Sequence, residues 1–227
     1  MNEIPLGMSR KEKFLIVMNK LSSKYKGCVV VQGQTHPAII YQIKESWKGY
    51  QLIFSTWEGS DISGYSEGDI VLLNKVPDEK GIQNLNLQKI STINGMCTAK
   101  ELGWKRALKI RSDMWVNDPD KVMGLFKHKK LNLYGWAVHK HGYIMDFFME
   151  GECDDIITLF DVDCNGPYPE YNLTKQLYNS GLNGKVHMIC KNVSDEANFY
   201  WLKHNYWMGV NALQSQYSDK LPLMWGG

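Results

Sequence analysis

The segment Lys109-Ile-Arg-Ser-Asp113 brings charged side chains to the end of an apolar strand pattern. Open α/β sheets place ligand-binding groups at the carboxyl ends of buried strands, so the pattern predicts Asp113 as a ligand of a divalent cation. A strand-end turn or a helix cap is the alternative role. Arg111 shares a face with Asp113 on a straight strand, and its guanidinium can bind phosphate or pair with Asp113. Lys109 is interpreted as structural.

Two further acids stand where a general base is needed: Asp146 after the apolar Tyr143-Ile-Met145, and Glu170 after Pro169. A hydroxyl that displaces a phosphate leaving group must give its proton to a base on the opposite face of the reacting centre. Asp146 is expected to close a strand, and Glu170 to lie in the first turn of a helix, where the helix dipole keeps a carboxylate ionised. Both are candidate catalytic residues, with a turn residue and a capping acid as the alternatives.

Polar residues also follow other apolar segments. Gln32-Gly33 follows a buried strand pattern, and Ser55-Thr-Trp57 closes another, where hydroxyls and an indole suit a ribose and a pyrimidine base. Gln88 and Ser91 are three residues apart on one helix face, turned either to a ligand or to solvent. An ordinary strand end is the alternative for Ser55-Thr-Trp57. The predicted binding residues are Gln32, Gly33, Ser55, Thr56, Trp57, Gln88, Ser91, Arg111 and Asp113.

A literal Asp-x-Asp pair, Asp161-Val-Asp163, is interpreted as solvated acids in a turn because it follows a predicted helix (153–160) and precedes Asn165-Gly-Pro167. The six histidines lack zinc-hydrolase spacing, and the sequence contains no P-loop, Gly-x-Gly-x-x-Gly or Gly-x-Ser-x-Gly motif. The five cysteines are widely spaced and indicate neither a zinc knuckle nor a disulfide framework. These patterns give no support to a zinc hydrolase, a hydrolase with a Gly-x-Ser-x-Gly elbow, a P-loop kinase or a nicotinamide enzyme.

The bulk composition narrows the classes further. The chain has 227 residues and a formal net charge of +2, with no basic run longer than Lys127–Lys130, so nucleic acid is not expected as a partner. No uninterrupted apolar stretch is long enough for a membrane span, and the amino terminus does not resemble a signal peptide. A cytoplasmic location is therefore expected. The final segment, 221–227, is compatible with a chain that continues into further domains.

Alternating strand and helix patterns predict an α/β fold with a mainly parallel open sheet and helices on both faces. Strands are expected at 28–33, 50–57, 69–74 and up to Asp113, and helices from Pro37 and over 84–102. An amphipathic helix is expected at 9–26. After residue 118 the patterns predict helices near 119–126, 153–160 and 170–180, and strands near 132–147 and 185–191. The strand ends should bring Gln32, Trp57 and Asp113 together.

Several short motifs occur in an order that resembles a known family. They are Val29-Val-Val-Gln-Gly33, Phe54-Ser-Thr-Trp-Glu-Gly59, Asn86-Leu-Gln-Lys-Ile-Ser-Thr92 with Gly95, Lys109-Ile-Arg-Ser-Asp-Met114, Ile144-Met-Asp146 and Pro169-Glu170. Together they resemble the WavE-type lipopolysaccharide-synthesis glycosyltransferases of bacterial surface-polysaccharide loci, related forms of which occur in large DNA viruses that glycosylate their own capsids. The resemblance covers roughly residues 28–175.

The resemblance implies a single GT-A domain over 1–227, with a nucleotide-sugar-binding half at about 28–118 and an acceptor-side half at about 119–220. It implies transfer of a hexose or deoxyhexose from a nucleotide sugar, UDP-linked, to a glycan or polysaccharide, with Mn²⁺ or Mg²⁺ near Asp113. A viral member would act in the host cytoplasm. A late histidine, His187 or His204, is the candidate to complete the metal site. Arg111 and Lys89 depart from the family pattern, and beyond residue 175 no pattern is seen.

Two other functions remain open on the sequence. A nucleotidyltransferase or sugar-nucleotide hydrolase could use a similar sheet, although Gln32–His36 is a poor version of a glycine-rich phosphate loop. A carbohydrate- or nucleotide-sugar-binding module without catalysis is the non-enzymatic alternative, favoured by Arg111 at the position of a first acid.

Overall fold

The computed structural model describes residues 24–113, 118–138, 141–163 and 165–189. The helix predicted at 9–26 lies almost wholly outside this part of the chain, as do Met114 and His204. In this part of the chain seven strands form one sheet, in the order β3-β2-β1-β4-β6-β5-β7. The strands are β1 (Cys28–Gln32), β2 (Gln51–Trp57), β3 (Ile70–Asn74), β4 (Arg106–Arg111), β5 (Leu131–Val138), β6 (His141–Glu152) and β7 (Val186–Met188).

The sheet is mainly parallel. Strand β1 lies between β2 and β4 and runs parallel to both, and β2 is likewise parallel to β3. Strand β6 runs antiparallel to β4 and to β5, whereas β5 and β7 are parallel. The carboxyl ends of β1, β2 and β4 therefore meet at one edge, and the amino-terminal half of the long β6 enters the same region from the opposite direction.

Within the described residues, five α-helices cover the two faces of the sheet: α1 (Pro37–Ser46), α2 (Leu85–Glu101), α3 (Pro119–Gly124), α4 (Cys153–Phe160) and α5 (Pro169–Asn179). Apolar residues of α1 and α3 join one core cluster with Val29 and Val31, and those of α2, α4 and α5 join a second cluster with Val30. Strand β1 is buried on both faces because its valines serve both clusters. The predicted α/β class, with helices on both faces, is confirmed.

Helix α2 lies unusually close to the sheet. A Cβ atom added at Gly95 would meet Val30 Cγ1 at 2.3 Å, so only glycine permits this approach of helix to strand. The close packing fixes the start of α2 beside the carboxyl ends of β1 and β2. Within the described residues, no helix has the length and apolar character that a membrane crossing requires.

Candidate active-site cleft

A cleft of about 560 Å³ opens at the carboxyl ends of β1, β2 and β4. It is lined by Gln32, Gly33, Gln34, Trp57, Gln83, Asn84, Leu87, Gln88, Arg111, Ser112, Asp113, Asp146, Pro169 and Glu170. Eight of the eleven residues singled out from the sequence are in this lining. The parallel strands bring β1 and β4 side by side, which is why segments 80 residues apart in sequence share one cavity.

Gly33 lies where the loop after β1 contacts the loop after β4. Its φ of +118° lies in the region that favours glycine, and an added Cβ would meet Ser112 Oγ at 2.8 Å. The backbone N–H of Ser112 donates to the Gln32 carbonyl at 2.8 Å, and the Ser112 hydroxyl donates to the carbonyl of Gln34. The floor of the cleft is therefore fixed by backbone contacts on both sides of Gly33.

Arg111 and Asp113 form a bidentate pair. Arg111 Nε donates to Asp113 Oδ1 at 2.9 Å and Arg111 Nη2 donates to Oδ2 at 2.7 Å. Arg111 Nη1 also lies 3.5 Å from Asp146 Oδ2. The pairing left open by the sequence is thus present, and it places one guanidinium between two carboxylates.

Asp146 does not close a strand, which corrects the sequence-based expectation. It lies inside β6, at a β-bulge. Between the pairs Leu133–Met149 and Gly135–Ile144, residues 145–148 of β6 stand opposite the single residue Tyr134 of β5. The side chain is almost wholly buried, and Oδ2 has no hydrogen-bond partner within the described residues. Apolar residues stand on both sides of Asp146 in 143–149, so no local pattern indicated the bulge.

Glu170 is the second residue of α5 and lies half-buried at the rim of the cleft. Burial raises its pKa above the ordinary 4.5; the Glu170 backbone N–H opposes the rise, whereas the Asp146 carboxylate adds to it. Desolvation outweighs the hydrogen bond, so the helix start does not by itself set the pKa of Glu170. Thr174 joins α5 to β6 near both acids. Its Oγ1 accepts a hydrogen bond from the Ile144 backbone N–H at 3.1 Å and donates to the Glu170 backbone carbonyl at 2.6 Å.

Lys109 is completely buried beneath the charged part of the cleft. Its Nζ donates to the backbone carbonyl of Asp146 and lies 5.3 Å from the centroid of the Phe160 ring. Burial lowers the pKa of Lys109 to about 8, and Asp146 and Asp113 oppose this shift, while Arg111 adds to it.

The cleft lining is also rich in uncharged carboxamides. It contains Gln32, Gln34, Gln83, Asn84 and Gln88 together with Trp57. The Oε1 atoms of Gln32 and Gln88 are buried without a hydrogen-bond partner in the part of the chain that the structure describes. Buried polar atoms are normally paired, so unpaired ones facing a cavity are expected to bind a ligand.

Sequence reasoning missed part of this lining. Gln83 and Asn84 have positive φ values of 48° and 63°, a conformation that costs free energy in residues with a Cβ. The turn directs both into the cleft just before α2. No pattern in the sequence marked them, and Gln34 and Ser112 are detectable only as neighbours of the predicted residues.

Three predicted binding residues are not brought to the cleft. Ser55 is fully buried and its Oγ accepts from Asn74 Nδ2 at 2.9 Å. Thr56 Oγ1 lies 3.0 Å from Ser60 Oγ, and Ser91 Oγ donates to the Leu87 carbonyl at 2.7 Å within α2. The Ser55 hydroxyl is bound by β3, the Thr56 hydroxyl by the loop after β2, and the Ser91 hydroxyl by the backbone of α2, of which the cleft reaches only the first turn.

Whether the cleft could hold a divalent cation depends on the acceptor positions that Asp113 has left. A carboxylate offers about four acceptor positions, so two remain after the Arg111 pair, and Mg²⁺ or Mn²⁺ typically takes one or two carboxylates with phosphate and water oxygens. Asp113 fits this role. In the described residues no three His, Cys, Asp or Glu side chains are grouped to hold a metal, and His187 lies on β7 at the far edge of the sheet.

The Asp-x-Asp pair is not part of the cleft lining. Asp161 follows α4, is exposed, and pairs with Lys89 at 3.0 Å, and Asp163 is exposed as well. This is the solvated helix end that the sequence predicted.

No protein-family model and no curated protein sequence matches this chain. Among solved structures, it is similar to a protein of Desulfovibrio desulfuricans G20 assigned by prediction as a nucleotide-diphospho-sugar transferase, with 12% identity, a TM-score of 0.46, and coverage of 72% of this chain and 79% of the other. A glycosyltransferase involved in the glycosylation of the major capsid of PBCV-1 gives 11% identity, a TM-score of 0.46, and coverage of 71% and 81%. At these values the likenesses carry no argument about activity, so the functional argument rests on the cleft.

Proposed function

We propose that this protein is a glycosyltransferase that moves a sugar from a nucleotide-sugar donor, UDP-linked, to a glycan or polysaccharide acceptor. The observation that carries the proposal is a single cleft lined by carboxamides, an indole, a guanidinium and three carboxylates, in which Gln32, Gln88 and Asp146 each keep a buried polar atom without a hydrogen bond in the described residues. A nucleotide sugar has matching groups: a neutral base with hydrogen-bonding edges, a diphosphate, and a sugar.

The carboxamides of the cleft suit the base and ribose. A carboxamide offers both a donor and an acceptor, which complement the adjacent carbonyl and N–H of uracil, and the indole of Trp57 offers an apolar face. Gln32 and Gln88 line the cleft from β1 and α2, two elements that Gly95 allows to pack closely. The part of the chain at 28–118 would therefore bind the nucleotide.

The charged side chains suit the diphosphate only with additional positive charge. Three carboxylates, Asp113, Asp146 and Glu170, line the cleft beside one guanidinium. A diphosphate would be repelled by this arrangement, and a divalent cation would offset the repulsion. When bound, Mn²⁺ or Mg²⁺ would neutralise the leaving diphosphate, with Asp113 as its protein ligand.

The remaining side chains would divide the reaction between them. Arg111 would hold phosphate oxygens with the guanidinium edge that faces the cleft. Asp146 would accept a hydrogen bond from a hydroxyl of the transferred sugar through Oδ2, the carboxylate oxygen that has no hydrogen bond in the described residues. Glu170 would remove the proton of the acceptor hydroxyl, because a carboxyl group whose pKa is raised by burial is a stronger base than an exposed one. The acceptor would then enter on the α5 side, from the 119–220 part of the chain.

A non-catalytic nucleotide-sugar-binding module is the second candidate. The observation in its favour is the bidentate pair, since Arg111 already occupies two acceptor positions of the carboxylate that would bind the metal. Such a module would bind the donor in the same cleft without turnover.

Thermal denaturation with nucleotides and nucleotide sugars, each with and without Mn²⁺, tests donor binding, because a ligand that binds only the folded state raises Tm. A rise for UDP-sugars that depends on Mn²⁺ is expected, together with slow release of UDP without acceptor. Binding without UDP release or transfer would favour the module, and no rise with any nucleotide sugar would refute the proposal.

The variant Asp113→Ala tests the metal assignment. We expect it to lose the Mn²⁺-dependent part of the Tm rise while remaining folded, since a residue at a strand end contributes little to the core. Asp161→Ala is the matched control, because Asp161 is an exposed acid whose partner is Lys89. Mn²⁺-dependent activity retained in Asp113→Ala would contradict the assignment.

A further inference from the structure

The bulge of β6 is an unusual way to hold a side chain in a cleft. Residues 145–148 lie between the ladder pairs of β6 with β5, and the ladder of β6 with β4 ends at Ile110–Phe148. Among the strand pairs of the described residues, none includes Asp146. Phe148 is the one residue of the bulge that is in a strand pair within the described residues, so the backbone polar groups of residues 145–147 need other partners.

Side chains supply partners at two points. The N–H of Ile144, at the edge of the bulge, donates to Thr174 Oγ1 of α5 at 3.1 Å. The carbonyl of Asp146, inside the bulge, accepts from Lys109 Nζ. Lys109 is the one charged residue among the largest fully buried side chains, and it comes from the adjacent strand, β4. A buried ammonium is costly unless it is paired and hydrogen-bonded, which argues for a specific task.

Two nearby carboxylates partly offset the effect of burial on the pKa of Lys109. Asp146, Asp113 and Arg111 are the charged groups that act on it, and the Phe160 ring of α4 packs below its Nζ. The ammonium thus fixes the backbone of Asp146 and also offsets part of the negative charge of two carboxylates that face the cleft.

We propose that Lys109 is a positioning residue that clamps the β6 bulge and thereby holds the Asp146 carboxylate towards the bound sugar. Its effect on turnover rests on the proposed function, whereas its effect on the bulge does not. Lys109 itself faces Phe160 and the sheet, is absent from the cleft lining, and acts through Asp146.

Hydrogen exchange of the folded protein tests the clamp without any substrate. In Lys109→Met, which keeps the length of the side chain but removes the donor, the Ile144 amide should exchange at least about tenfold faster than in the wild type, because loss of the clamp opens the bulge locally. The amides of Leu108 and Ile110 in the β4 ladder should be unchanged, which separates local opening from general destabilisation. Lys100→Met is the matched control. Lys100 is an exposed lysine at the carboxyl end of α2, the end opposite the cleft, and it pairs with Asp154 of α4.

A double-mutant cycle tests the effect on turnover. Lys109→Met and Asp146→Asn should each lower kcat/KM, the former by about 10- to 100-fold, as is usual for groups that orient a catalytic side chain. The double variant should be no slower than Asp146→Asn alone, because a residue that acts through Asp146 has nothing left to position.

The outcomes separate this inference from the proposed function. Unchanged exchange at Ile144, or losses in kcat/KM that add fully in the double variant, would overturn the role of Lys109 even in an active enzyme. A wild-type protein that transfers no sugar would refute the proposed function, and the exchange measurement would then decide the clamp by itself.

Discussion

Strand β4 has an arginine–carboxylate pair at each end, and the two pairs differ in how completely they are satisfied. At the amino end, Arg106 donates to Glu150 through Nε at 2.9 Å and Nη2 at 2.8 Å, and Asn132 Nδ2 donates to Glu150 Oε2 at 2.6 Å. At the carboxyl end, Arg111 holds Asp113 with similar distances, but the adjacent Asp146 keeps a buried oxygen without a hydrogen bond.

The difference shows what each pair contributes. The amino-end network joins β4, β5 and β6 and leaves no atom of the Glu150 carboxylate without a donor, as expected of a group that stabilises the fold. The carboxyl-end group gathers three acids around one guanidinium and leaves polar atoms unpaired, which costs free energy of folding. Such an arrangement is explained if a ligand completes it. The following substitutions test this distinction.

The largest effect is expected for Glu170→Gln. Loss of a general base typically lowers turnover by about 10²- to 10⁴-fold, so kcat should fall within this range while donor binding, followed by Tm, persists. In the wild type the acidic limb of kcat/KM should lie above pH 4.5, because burial raises the pKa of Glu170, and this limb should disappear in the variant. Wild-type turnover in Glu170→Gln would assign the base elsewhere.

Glu170 also affects stability in a pH-dependent way. Its folded-state pKa lies above the ordinary 4.5, so the folded protein retains a proton that the unfolded chain has lost. The free energy of unfolding should therefore fall as pH rises from 4.5 through the raised pKa, and Glu170→Gln should lack this fall. Urea titrations at several pH values would measure it.

A second substitution, Asp146→Asn, keeps the shape of the side chain but replaces an acceptor. We expect kcat/KM to fall by about 100-fold, since a charged hydrogen bond to the sugar would be lost, with the cooperativity of urea unfolding unchanged. An equal loss of stability and activity would instead place Asp146 with the structural network at the amino end of β4.

The matched change at the other end, Glu150→Gln, should show the opposite pattern. Its side chain is 9% exposed and its partner Arg106 is 20% exposed, so removing the charge should lower the free energy of unfolding by about 2 kcal/mol. Turnover at a temperature well below Tm should be retained within about threefold. A large loss of kcat with unchanged stability would contradict the comparison.

The smallest effect is expected for the double variant Asp161→Asn, Asp163→Asn. Both acids are exposed, and the contact of Asp161 with Lys89 is a surface ion pair of the kind that contributes about 1 kcal/mol or less. Activity and Tm should stay near wild-type values. Loss of Mn²⁺-dependent activity would move the metal site to the literal Asp-x-Asp pair.

Most elements that position the cleft were predictable because their signals are local. The valine run before Gln32, the start of α1 at Pro37, and the end of α2 before Gly103 follow from residue type and spacing, and the structure confirms strand and helix near the expected bounds. Parallel pairing then requires the carboxyl ends of β1, β2 and β4 to meet. Gln32, Trp57 and Asp113 could therefore be placed together from the sequence.

Where the prediction was wrong, the deciding contacts join segments distant in sequence. Ser55 was expected in the cleft, but its partner Asn74 lies on β3. The raised pKa of Glu170, which the sequence did not predict, reflects burial and the Asp146 carboxylate of β6. Neither result has a signal within a short window of sequence.

The sequence by itself thus determined the α/β alternation, the edge where a ligand binds, and most of the side chains available there, since these depend on local spacing and strand direction. Only the tertiary structure decided which atoms are satisfied. It paired Arg111 with Asp113, placed Asp146 in a bulge fastened by Lys109, and left Gln32 and Gln88 each with an unpaired oxygen. Hydrogen-bond satisfaction depends on burial and on partners from distant strands, and these exist only once the chain has packed.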